Sequence, residues 1–88
     1  MFSIILQAEN AEEIRDTAPD DGPALLAWLR AQLGGHRLRR IGLPSGREMW
    51  VTPDGIGQGR PVNRTATAVA GLSKDGADTV YGNAVVLL

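Results

Sequence analysis

Cysteine is absent from the 88 residues, and histidine and lysine occur once each, at His36 and Lys74. The first absence excludes a disulfide staple, a zinc knuckle, an iron–sulfur site and a cysteine nucleophile. A single histidine with no carboxylate pair spaced around it offers no converging ligand set, so neither metal nor cofactor is expected. Aromatic residues make up 5% of the chain, namely Phe2, Trp28, Trp50 and Tyr81. No apolar run approaches the roughly 20 residues needed to cross a bilayer. The opening MFSIILQAEN carries no basic leader and too short an apolar stretch for a secretory signal. A cytoplasmic protein without membrane contact is the expectation.

What is present is ordinary for a globular chain, 43% hydrophobic and 22% charged. A chain of this length makes one domain, spanning 1–88, with a small core. The net charge is only −1, yet it is unevenly laid out. Up to residue 29 there are six acids (Glu9, Glu12, Glu13, Asp16, Asp20, Asp21) against Arg15. Between 30 and 64 there are seven arginines (Arg30, Arg37, Arg39, Arg40, Arg47, Arg60, Arg64) against Glu48 and Asp54. Such asymmetry points to an anion-facing surface in the middle of the chain, or else to two halves that neutralise each other in space.

Along the chain, FSIILQ reads as a buried central strand. The acidic stretch AENAEEIRDTAPDDG has few large apolar residues and reads mainly as a solvated connection. Asp20, Asp21 and Gly22 offer caps, and Pro23 suits a first helical turn. In PALLAWLRAQLGG, Leu25, Leu26, Leu29 and Leu33 share one helical face with Trp28 at its edge, and Gly34-Gly35 ends the helix. HRLRRIGLP, at 36–44, and residues 48–52 read as two strands around a turn at Ser45-Gly46, with a further turn at Pro53-Asp54-Gly55 and a brief return strand in IGQG. Asn63 is a good N-cap for a short helix with Ala66, Val69 and Ala70 on its apolar face, closed by Gly71. VYGNAVVLL is a final strand. The order βαββαβ predicts an α+β fold of ferredoxin-like (split βαβ) type: an antiparallel sheet with both helices on one face. So small an open sheet leaves an edge or face uncovered, and a homo-oligomer is expected.

Catalysis finds little support. His36 has no serine or threonine spaced to serve as its nucleophile, and the carboxylates of the acidic stretch look solvated rather than tuned for proton transfer. The loop GIGQGRPVN is more suggestive, although Gly55, Gly57 and Gly59 match neither a dinucleotide fingerprint nor a Walker loop. Arg60 and Arg64 flank the helix start at Asn63, where unpaired N–H groups and the helix dipole favour an anion. Thr65 and Thr67 would add hydroxyls, and Trp50 or Tyr81 would stack on a base. The plainer reading is that Asn63 caps the helix, Pro61 fixes the loop and the arginines are solvated. Met49 and Trp50 are adjacent in a strand, so one of them is expected to face outward. A polymeric nucleic acid is not expected at pI 5.7 without a recognition motif.

From Trp50 onward the chain resembles a small domain-of-unknown-function family of phages, plasmids and bacteria. The resemblance is carried by MWVTPDG, PVNRTATAVAG and YGNAVVLL, with LRAQLGGHRLRRIGLP similar to that family's helix, glycine pair and strand. It implies a phage or mobile-element accessory protein rather than a housekeeping enzyme. The expected function is then non-enzymatic: sequestration of a small phosphorylated ligand, such as a nucleotide-derived defence signal, by Arg60, Asn63, Arg64, Thr65, Thr67, Trp50 and Tyr81. The alternative is a protein-directed inhibitor or adaptor acting through the acidic segment 9–21.

Overall fold

The computed structural model describes residues 1–8, 12–35, 37–53, 59–71 and 79–88. Along the chain run β1 (Phe2–Leu6), β2 (Glu13–Thr17), α1 (Gly22–Leu33), β3 (Arg39–Gly42), β4 (Glu48–Val51), α2 (Arg64–Ala70) and β5 (Ala84–Leu87). The five strands form one sheet in the order β2-β1-β5-β4-β3, with every neighbouring pair antiparallel.

α1 forms where its signals place it. The Asp21 side chain accepts a hydrogen bond from the Ala24 N–H, Pro23 sits in the first turn, and Gly34 closes the helix in the left-handed conformation at φ 69°. α2 begins at the Asn63 cap and buries Ala66 and Ala70, with Val69 packed beside them. The hairpin between β3 and β4 turns through Gly46, at φ 85°.

Side-chain alternation divides the core in two. Leu6, Ile41, Met49, Val51, Ala84 and Val86 lie on the sheet face that meets α2. Ile5, Val85, Leu87 and the half-buried Trp50 lie on the other face, against Leu29, Leu33, Leu25 and Trp28 of α1. The helices therefore cover opposite faces, which makes three layers rather than two. All four residues of β5 are buried, because a central strand with a helix on each side has no solvent face.

Three expectations are corrected here. The sheet does not have the ferredoxin-like order, and its helices do not share a face. The acidic stretch contributes a strand, β2, instead of serving only as a connection: it hairpins back onto β1 with Ile5 opposite Ile14. Finally, neither Met49 nor Trp50 faces outward, since one packs beneath each helix layer. His36, the turn at Pro53-Asp54-Gly55 beyond Pro53 itself, and the expected return strand before Gly59 lie outside the described residues.

α1 links the two edge strands, β2 and β3, by passing across one face of the whole sheet. The short α2 joins neighbours, β4 and β5, and covers only part of the other face. Phe2, on the α2 side of β1, is 72% exposed for that reason. No helix among the described residues is long and apolar enough to cross a membrane.

Candidate functional site

The predicted anion cradle lies where the chain passes from β4 towards β5. Two backbone bonds hold this passage, from the Asn63 N–H to the Val80 carbonyl and from the Gly82 N–H to the Pro61 carbonyl, both 2.8 Å. Asn63 is only 1% exposed. Its Oδ1 accepts from the Ala66 N–H at 2.9 Å, while Nδ2 donates to the carbonyls of Leu6 and Gly82, each at 2.9 Å. The residue joins the end of β1, the approach to β5 and the start of α2, and its amide is fully used in doing so.

Arg60 is committed to the fold in the same way. Its Nη1 donates to the Leu33 carbonyl at 2.6 Å and Nη2 to the Gly34 carbonyl at 2.7 Å. These are among the carbonyls that the end of an α-helix leaves unpaired, and a guanidinium there also offsets the negative pole of α1. The backbone makes room for it: a Cβ on Gly82, which sits at φ 79°, would meet Arg60 Cδ at 2.9 Å. The Thr67 hydroxyl accepts from the Val80 N–H at 2.9 Å. Tyr81 pairs with Val62 in an isolated bridge and is half-buried.

Arg64 is exposed and Thr65 half-buried at the start of α2. Trp50 belongs to the α1 side of the sheet and Arg60 reaches the end of α1, whereas the first turn of α2 lies on the other side. The structure thus brings Arg60, Asn63, Thr67 and Tyr81 into one structural knot. The Arg60 guanidinium sits at the C-terminal end of α1, not at the start of α2. One loose end remains on the α1 side, where the buried Trp50 Nε1 and Thr52 Oγ1 have no hydrogen-bond partner.

An open polar surface lies elsewhere. Every residue of β2 is exposed, and β2 is an edge strand. Glu12, Glu13, Asp16, Asp20 and Asp21 line this margin and the turn into α1, all exposed. Next to them Phe2, Ser3, Arg15, Asp16, Thr17 and Leu88 line an open hollow of about 570 Å³, with Phe2 and Leu88 as its apolar walls. The opposite edge, β3, carries exposed Arg39 and Arg40, and Arg40 pairs with Glu48 of its own hairpin at 3.2 Å. β2 and β3 stand four strand spacings apart, about 19 Å at 4.8 Å each, beyond the Debye length of about 8 Å at physiological salt. The charges of the β2 and β3 edges therefore do not neutralise each other across the sheet.

The five residues of β2 carry one apolar side chain, Ile14, so no alternation marked this edge strand in the sequence. Comparison with family models, with curated proteins and with solved structures finds no match for this chain.

Proposed function

We propose that this chain is a non-enzymatic, protein-directed inhibitor or adaptor whose acidic segment 9–21, of which 9–11 lie outside the described residues, docks a basic partner through the margin at 12–21. One observation carries the reading: the carboxylates of Glu12, Glu13, Asp16, Asp20 and Asp21 are exposed together along the β2 side, with the arginines of β3 at the far edge of the sheet. The N-terminal ammonium pairs with Asp20 at 3.0 Å and Arg15 lies within β2, yet acids outnumber cations along this margin; such a surplus attracts and orients an oppositely charged surface. The rival reading, capture of a small phosphorylated ligand at 60–67, has fewer groups to work with, because Arg60, Asn63 and Thr67 already hold the fold together. In the setting that the resemblance implies, a phage or mobile-element accessory protein would use this margin to occupy a host protein in the cytosol.

The test is a backbone NMR titration of the labelled protein at low salt, in two arms. One adds a short peptide of alternating lysine and valine, and the other a panel of nucleotides and cyclic dinucleotides. The peptide is expected to move the amides of residues 12–21, and the response to vanish when Glu12, Glu13, Asp16, Asp20 and Asp21 are replaced by their amides. Absence of any peptide response overturns the proposal. So does a nucleotide response at 63–67 that Arg64→Ala abolishes, which would restore the small-anion reading.

A further inference from the structure

The hydrogen-bonding phase of the β1–β2 hairpin decides which way each backbone group of β2 points. The Gln7 N–H donates to the Glu12 carbonyl at 2.9 Å and the Ala18 N–H to the Met1 carbonyl at 2.7 Å. With the pairing Phe2↔Thr17 through Leu6↔Glu13, the residues facing β1 are therefore Glu12, Ile14, Asp16 and Ala18. The N–H and C=O groups of Glu13, Arg15 and Thr17 point away from the sheet. The Thr17 N–H is already taken at 2.7 Å by Asp16 Oδ1. Glu13 and Arg15 present the open part of the ladder.

We infer that this edge pairs with β2 of a second copy of the chain, antiparallel about a two-fold axis through Ile14. Two copies related by an axis perpendicular to the sheet keep their faces aligned, so only residues of the same face can stand opposite one another. Among those registers, one sets Glu13 against Glu13, another Arg15 against Arg15, and a third Asp16 against Asp16. The register centred on Ile14 alone places Glu13 opposite Arg15 of the second copy, twice. Those two pairs are also the ones whose backbone groups point outward, and they would exchange four hydrogen bonds between them.

Ile14, 39% exposed on the α1 side, then meets its own copy at the close, non-hydrogen-bonded position on the axis. Charged side chains commonly blunt an edge strand; those of Glu13 and Arg15 are of opposite sign, two residues apart on one face, so in this register they attract instead of repelling. The result is a continuous ten-stranded sheet with both α1 helices on the same side. It also brings the remaining carboxylates of two acidic margins together, Asp16 facing Glu12 of the other copy, and that repulsion keeps the dimer weak. This pairing occupies the same edge as the proposed basic-partner margin and shares Glu13 with it, so a second copy and a basic partner would compete for β2; a monomeric chain would overturn the pairing and leave that reading intact.

The experiment is sedimentation of the full chain over a concentration series, comparing wild type with E13K, R15E and the double variant E13K/R15E, with circular dichroism to confirm folding. Wild type is expected to dimerise as concentration rises. Each single variant should dimerise about tenfold more weakly or worse, since both ion pairs become repulsions. The double variant should recover, and the two single variants should form a heterodimer when mixed, because each lysine then meets a glutamate. Three results would overturn the inference: a monomer at all concentrations, a dimer indifferent to these charges, or open-ended assemblies abolished by changing Arg39 and Arg40. The last would mean that the acidic edge pairs with the basic one.

Discussion

At the scale of single residues, Arg60, Asn63 and Thr67, three of the side chains that looked suited to a ligand, hydrogen-bond the backbone. Asn63 shows why. An asparagine before a helical run is a legible N-cap, and the cap is there, with Oδ1 on the Ala66 N–H. What no local pattern shows is the second half of the amide, which reaches carbonyls 57 residues earlier, at Leu6, and 19 residues later, at Gly82. Asn63→Ala removes the cap and leaves two buried carbonyls short of a donor. A loss of about 2–4 kcal/mol in unfolding free energy is expected by urea titration. Asn63→Asp keeps the cap but turns an acceptor on both carbonyls, and is expected to be at least as damaging; a variant as stable as wild type would remove this account of the residue.

At the scale of elements, the helices and β5 were readable because each signals itself locally. Asp21, Pro23 and Gly34 bound α1, Asn63 and Gly71 bound α2, and AVVL is an uninterrupted apolar run. β2 was not readable for the opposite reason. Its partner β1 supplies the order, and its own five residues stay exposed, so it has no apolar stripe to announce it. Arg60, read in the sequence as one of two arginines flanking the start of α2, has a role that no local pattern announces. A cation beside a glycine-rich turn suggests an external anion, but here the negative pole is internal, at the end of α1. Arg60→Ala is expected to lower stability by about 1–2 kcal/mol in thermal melts. It should also speed amide exchange in the last turn of α1, with Arg60→Lys restoring only part because one ammonium cannot span both carbonyls as the guanidinium fork does. Unchanged exchange at the Gly34 amide in Arg60→Ala would show that the clip is idle.

At the scale of the whole molecule, two properties depend on which elements become neighbours, and a linear reading could not reach either. The first is layering: the apolar residues of β1, β4 and β5 face both ways, so each helix takes one side, and an expectation of one covered face fails. The second is polarity across the sheet, with carboxylates along β2 and guanidiniums along β3. The asymmetry itself was plain in the sequence, but its meaning depended on whether the two strands met. Burial falls from β5 outward to β2, and amide exchange should rank accordingly. Slowest exchange is expected at Val85 and Val86 of β5, and fastest among strand residues at Glu13 and Arg15. Protection at those two that grows with protein concentration would register the pairing proposed above.

The position of β5 between β1 and β4 also bears on how the chain is born. The early hairpin, residues 2–17, and the later one, residues 39–51, share no ladder; only residues 84–87 zip them into one sheet. Before residues 84–87 are in place, neither hairpin has the neighbour that β5 supplies, and an isolated two-stranded hairpin is marginally stable at best. Docking β5 demands contacts between distant parts of the sequence, a slow kind of assembly. Until it docks, the strand edges it will cover are where a nascent chain is most open to misassociation.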